Sequence, residues 1–171
     1  MNRSTSFRIW KGGKNQLQVL FPIYKEFLLY YYRRYGTLLR DIPLERDEIA
    51  EYLSVQFGEA QSIVFLASEQ PIAESAIGFT LLTPRPAQKR HPPQWLLKDL
   101  FVNPAYRGQG LGSVLMDEVI SHFRAEGAAS ISLLTGKVNI EAQGLYEKYG
   151  FLRDNSYKDQ YNVKYSLQLA K

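Results

Sequence analysis

"VNPAYRGQGLGSVLM", Val102 to Met116, sets Gly108, Gly110 and Gly112 at alternate positions between a strand-like run and a helix-like run. The run before it, "QWLLKDLFV" from Gln94 to Val102, is strongly apolar and reads as a strand. After it, Leu111, Val114, Leu115, Val119, Ile120 and Phe123 form one apolar stripe, which predicts a helix over Leu111 to Ala125. The first N–H groups of a helix have no intrahelical partner and carry the positive end of its dipole, so glycines at that junction let an anion approach. Arg107 adds positive charge, and the first acid of the helix, Asp117, falls beyond the first turn. A tight turn that needs positive φ would use the same glycines. The nucleotide-binding spacings do not fit: no Lys-Ser/Thr pair follows the glycines, and the pattern is G-x-G-x-G rather than G-x-G-x-x-G.

Working outward, strand and helix patterns alternate with short punctuation, without repeats or low-complexity segments. Strands are predicted at Ser6 to Lys11, at "QSIVFLASE" and "ESAIGFTLLT" joined by a hairpin at Gln70-Pro71, at "ASISLLTG" and at "NVKYSLQLA". A further short strand fits Phe151 to Asp154. Helices are predicted at Asn15 to Tyr35, with Pro22 imposing a kink or a late start, and at Leu44 to Phe57. "NIEAQGLYEKYG" reads as a helix capped by Asn139 and ended by Gly150, and Pro84 to Pro93 as a loop. The order is βααβββαβαβ.

The 171 residues, 45% of them hydrophobic, suit one packed domain over 1–171. The absence of cysteine excludes disulfides and thiolate chemistry, and two isolated histidines, His91 and His122, argue against a metal site. No apolar run reaches the roughly 18 residues of a membrane span, and Met1 to Trp10 is too polar for a secretory signal, so a soluble cytoplasmic protein is expected. The formal charge of +4 and pI of about 9.2 are spread along the chain without a basic run, so neither nucleic acid nor membrane is an expected partner.

Arg107-Gly108-Gln109-Gly110-Leu111-Gly112 fits the signature [RQ]-x-x-G-x-[GA], and Asn139, Ala142, Leu145, Tyr146, Gly150 and Phe151 fit N-x-x-A-x-x-L-Y-x-x-x-G-F. These two stretches and the element order resemble the GNAT superfamily of acyl-CoA-dependent N-acyltransferases, and "LLKDLFVNPAYRGQGLGS" is similar to its diamine and polyamine acetyltransferases. The resemblance implies an α/β fold, mixed α+β in type: a central, mostly antiparallel mixed sheet flanked by helices on both faces. It also implies acetyl-CoA as cosubstrate, its pyrophosphate on the backbone of Arg107, Gly108, Gln109, Gly110, Leu111, Gly112 and Ser113. Pantetheine would pair with Leu100, Phe101 and Val102, with N–H groups near Phe101 and Val102 facing the thioester oxygen. Asn139 would lie near the coenzyme, and Tyr146 would protonate the leaving thiolate, a step uphill by about 1.5 pKa units. Taken alone, Tyr146 and Asn139 would be a core aromatic and a helix cap.

Asp99, in an apolar strand, is the candidate general base, with Glu74 or a water chain as alternatives. Where the polyamine enzymes carry a first acid, this chain has Lys98, and alternation along a strand turns Lys98 and Asp99 to opposite faces. The acids of "RDIPLERDEIAE", Arg40 to Glu51, either attract a cationic amine or form a solvated helix face. Tyr30, Tyr31, Tyr32 and Tyr35 either hold a cation or pack in the core. The expected function is transfer of acetyl to a small-molecule amine, by a monomer or a homodimer. The alternatives are a catalytically silent coenzyme-binding module of the same fold and, last, a nucleic-acid binder.

Overall fold

Seven apolar runs hydrogen-bond into one sheet in the computed structural model, which describes residues 7–13, 16–35, 45–58, 60–69, 75–86 and 92–169. The strands are β1 (Phe7–Gly12), β2 (Ile63–Glu69), β3 (Gly78–Pro84), β4 (Gln94–Val102), β5 (Ser130–Gly136), β6 (Leu152–Arg153) and β7 (Asn162–Gln168). Their order is β1-β2-β3-β4-β5-β7-β6, and each neighbouring pair is antiparallel except β4 and β5. The mixed, mostly antiparallel sheet expected from the sequence is therefore present.

Alternation along the strands divides the core between two faces. Val64, Leu66, Phe79, Leu81 and Phe101 meet Leu20, Ile23, Tyr24, Phe27, Ile49 and Leu53 of α1 (Leu17–Tyr35) and α2 (Arg46–Phe57). Phe65, Leu82, Leu97, Ile131, Leu133 and Tyr165 meet Leu111, Leu115, Val119, Phe123 and Tyr146 of α3 (Leu111–Ala125) and α4 (Ile140–Lys148). Helix α1 runs through Pro22 without a break. The ring deprives only the Gln18 carbonyl of its partner, and both residues face solvent. A 3-10 turn, Pro104–Tyr106, occupies part of the stretch read as loop, nucleated by Ala105 N–H donating to the Asn103 side chain. Strand β3 begins at Gly78 rather than at Glu74. Asn15, Leu44, the hairpin turn at Gln70-Pro71 and Glu74 lie outside the described residues.

Two irregularities in β4 position the site. Its parallel pairing with β5 covers only Gln94–Leu97 against Ser130–Leu133. Beyond Leu97 the two strands part, β4 staying with β3 and β5 with β7. In the β3–β4 ladder Leu81 opposes Asp99 while Leu82 opposes Leu97, so Lys98 is an extra residue, a β-bulge.

Helix α3 closes one side of this opening through Leu115, which is fully buried. Leu115→Ala should cost about 2–5 kcal/mol of stability in urea unfolding, because rigid neighbours on α3 and the sheet will not collapse into the void. A loss below about 1 kcal/mol would show that α3 is loosely packed.

Candidate active site

The glycine stretch does at its start what the sequence led one to expect of a helix junction. Gly108 and Gly110 have φ of 74° and 86°, in the left-handed region, and Gly110 is the N-cap of α3. A Cβ on either would meet no atom within 4 Å, so the space above the loop is open. At Gly112 a Cβ would make an ordinary contact, 3.4 Å, with Leu145 Cδ2 of α4. The first turn of α3 contains no acid.

A cleft of about 520 Å³ runs from this loop along the end of β4. Leu100, Phe101, Val102, Arg107, Gly108, Gly110, Leu111, Gly112, Ser113 and Asn139 all line it, as do Tyr30, Tyr31 and Arg34 of α1 and Ala142 and Leu145 of α4. Gln109 does not: its side-chain amide turns back to the Ala105 carbonyl at 3.1 Å. Asn139 stands at the N-cap position of α4, yet its side chain makes no capping bond. The turn before α4 is tied instead by Gln143, which donates to the carbonyls of Gly136 and Lys137 at 3.1 and 3.0 Å.

The backbone of β4 decides which N–H groups face the gap. Asn103 N–H donates to Ile77 C=O, so in this register the hydrogen-bonded pairs are Ile77 with Asn103 and Phe79 with Phe101. Phe101 thus spends its N–H on β3, against the sequence expectation, while the polar groups of Leu100 and Val102 point toward the opening. The Val102 carbonyl receives Arg107 Nε at 3.0 Å. The Arg107 guanidinium lies 4.2 Å from the Tyr30 ring centroid, and Arg34 donates to the Tyr30 hydroxyl at 2.6 Å. Burial works to raise the Tyr30 phenol, but the hydrogen bonds from Arg107 and Arg34 prevail and lower it. One tyrosine of the expected quartet therefore does hold a cation, a residue of the protein itself, while Tyr31 packs edge-on against Phe27. Lys148 and Tyr149 of α4 reach the N-terminus of α3, at Ser113 Oγ (3.1 Å) and the Ser113 carbonyl (2.7 Å). None of Tyr30, Arg34 or Lys148 is marked by sequence spacing, because each comes from another helix.

Tyr146 lies behind the cleft, buried against Phe151 and Tyr165. Burial raises its phenol above the ordinary value, and Tyr31 and Asp99 add to the rise electrostatically. Asp99 faces the α1/α2 side and accepts a long hydrogen bond, 3.4 Å, from Tyr24. Burial pushes its carboxyl up to about 6, against the opposing pull of Lys98 and Tyr24. Lys98 donates to Tyr52 and to Gln56 Oε1 of α2, each at 2.9 Å. Lys98 and Asp99 therefore share one face rather than opposing each other, because the bulge breaks the alternation on which the sequence argument rested. Of the α2 acids, Glu48 is engaged in a capping box with Glu45, and Glu45, Asp47, Glu48 and Glu51 are exposed, so they form a solvated helix face. Among the described residues no cluster of potential metal ligands occurs, and no helix is long and apolar enough to cross a membrane.

Residues 21–151 match the acetyltransferase (GNAT) family. The chain belongs to that family and is an acetyl-CoA-dependent acetyltransferase. It is 29% identical over 106 residues to the uncharacterized N-acetyltransferase YhfO of Bacillus subtilis (strain 168), covering 62% of this chain and 69% of that one. It is 26% identical over 126 residues to the [ribosomal protein bS18]-alanine N-acetyltransferase of Haemophilus ducreyi (strain 35000HP / ATCC 700724), covering 74% and 70%. The PaiA N-acetyltransferase of Thermoplasma acidophilum, solved in complex with coenzyme A, superposes with a TM-score of 0.70 at 17% identity, covering 95% of this chain and 99% of that one.

The raised Asp99 carboxyl has a thermodynamic consequence. Between 3.8 and about 6 the folded protein keeps a proton that the unfolded chain releases, so stability falls as pH rises through that window and levels off above it. Asp99→Asn removes this dependence. Its stability relative to the wild type should improve from about pH 4 to about pH 7 in urea titrations, and a pH-independent difference would contradict the assignment.

Proposed function

We propose that the protein transfers the acetyl group of acetyl-CoA directly to the primary amine of a small molecule, with Tyr146 as the acid that protonates the departing thiolate. The observation that carries this reading is the parting of β4 from β5 after Leu97, with the open glycine loop at one end of the gap. The N–H groups at the start of α3, together with Arg107, Arg34 and Lys148, receive the pyrophosphate and neighbouring phosphate charge. Leu100 and Val102 offer their backbone groups to pantetheine, and an N–H of the same pair faces the thioester oxygen, where negative charge grows during attack.

In the chemical step a C–N bond forms as the C–S bond breaks. Asp99 takes the ammonium proton, directly or through one water, which frees the nitrogen lone pair for attack. A carboxyl with a pKa of about 6 is largely ionised at neutral pH yet basic enough for this exchange. Tyr146, whose raised pKa keeps its proton in place, donates to sulfur. Burial makes this phenol a weaker acid than a free tyrosine, so proton transfer to sulfur is more uphill than the roughly 1.5 units that separate ordinary phenol and thiol values. Tyr24 and Tyr52 wall in the carboxylate from α1 and α2, which suits a small acceptor better than a folded chain.

Tyr146→Phe should lower turnover at least about tenfold in a thiol-release assay while leaving the dissociation constant of coenzyme A within about twofold. An undiminished rate removes Tyr146 from the mechanism. The pH–rate profile should show an acidic limb near 6 that Asp99→Asn abolishes, and an unchanged limb excludes Asp99 as the base. Amino-terminal peptides in the same amine panel separate a protein acceptor from a small one.

A further inference from the structure

The bulge in β4 puts a cation next to the carboxylate that would receive the acceptor's ammonium. Lys98 is the unmatched residue of the β3–β4 ladder, so its side chain turns to the α1/α2 side with that of Asp99 rather than away from it. Its Nζ donates to the Tyr52 hydroxyl and to Gln56 Oε1, both at 2.9 Å, and lies 5.1 Å from the Tyr52 ring centroid. Both acceptors are neutral, and Gln56 is a buried side chain that supplies one of them. Two anchors fix an otherwise mobile side chain, while one of its three N–H bonds has no partner among the described residues. Among the described residues Lys98 is in no ion pair; Asp99, its neighbour in the chain, accepts from Tyr24.

The described acids around it are engaged or turned to solvent: Glu48 of α2 is held in a capping box with Glu45, and Glu51 is exposed. Leu96 pairs with Ser132 on the same face, where Arg85 reaches Ser132 Oγ at 3.4 Å, and Lys164 is already paired with Asp154 at 3.0 Å. A diamine or polyamine would bring a second ammonium against a fixed ammonium, with the described acids nearby, Glu48 and Asp154, already engaged. A zwitterion meets both charges: its amine goes to Asp99 and its carboxylate to Lys98, whose remaining N–H makes a charge-assisted hydrogen bond. We infer that Lys98 is a specificity-determining residue that binds a carboxylate carried beside the acceptor's amine, so the substrates are amino acids or close amino-carboxylic relatives rather than polyamines. This rests on the acetyl-transfer reading above.

The test is thiol release from acetyl-CoA with matched acceptors, an amino acid, its carboxamide and a diamine of similar length, using the wild type, Lys98→Gln and Lys98→Glu. Coenzyme A affinity and thermal melting serve as controls for fold and donor binding. The wild type should favour the acid over the amide at least about tenfold in kcat/KM, mostly through KM, as expected for a lost charged hydrogen bond. Lys98→Gln should erase that preference, and Lys98→Glu should turn it toward the diamine. The inference is overturned if the wild type acetylates the amide or diamine as well as the acid, or if the preference survives in Lys98→Gln. Turnover of other amines but of no amino acid overturns it and leaves acetyl transfer standing. No thiol release with any amine overturns both.

Discussion

The chemistry of this protein depends on hydrogen bonds that β4 and β5 do not make. A parallel pair that continued past Leu97 and Leu133 would satisfy the polar groups of Leu100 and Val102 within the sheet and leave no room between the strands. Because β4 remains tied to β3 and β5 to β7, the pair opens without unravelling either strand. The cost of leaving backbone groups unpaired in a sheet is met only when a ligand or water takes them, and a pantetheine arm with its own amides is such a ligand. Helix α3 begins at the end of the opening, so in the proposed function one feature of strand pairing sets both the slot for the arm and the seat for the phosphates.

The bulge at Lys98 is the second consequence of the same strand. It turns two consecutive charged residues to one side, and each then finds partners on the helices above, Asp99 on Tyr24 and Lys98 on Tyr52 and Gln56. Tyr24 and Tyr52 stack with centroids 5.9 Å apart, so α1 and α2 hold the two charges as one unit. On the other side of the gap, α4 brings Tyr146 up from a buried position and uses Lys148 and Tyr149 to clasp the start of α3. The cleft at the start of α3 is lined from both faces of the sheet, by Tyr30 and Arg34 of α1 and by Ala142 and Leu145 of α4, whereas Lys98 and Asp99 take their partners from α1 and α2.

Much of this was legible in the chain itself. The element order followed from period and punctuation, and the glycine loop with its N-terminal helix was plain from Gly108, Gly110 and the apolar stripe after them. What could not be read was whatever depends on register. A bulge leaves no trace in "WLLKDLFV", so strict alternation misplaced Lys98 relative to Asp99. Likewise, which of Leu100, Phe101 and Val102 faces the gap is settled by the single bond from Asn103 N–H to Ile77 C=O. Asn139 was correctly located at the head of α4, but its side chain makes no capping bond, and the Gln143 side chain holds the preceding turn by donating to the Gly136 and Lys137 carbonyls. Arg34 and Lys148 escaped notice, and Tyr30 was read as a holder of a cation but not placed at the loop, because only tertiary packing brings these residues there. For the acids of α2 the sequence left two readings, an amine-attracting patch or a solvated helix face, and the exposed Glu45, Asp47, Glu48 and Glu51 fit the second.

The central claim is that the glycine loop and the end of β4 hold the coenzyme, and backbone amide spectra recorded during a coenzyme A titration test it most directly. The account predicts that the N–H resonances of Gly108 to Ser113, Leu100 and Val102 shift on addition of coenzyme A. Residues around the other large depression, Asp154 to Asn162 beside β7, should stay in place. Shifts confined to that second depression, or none at the glycine loop, would contradict it.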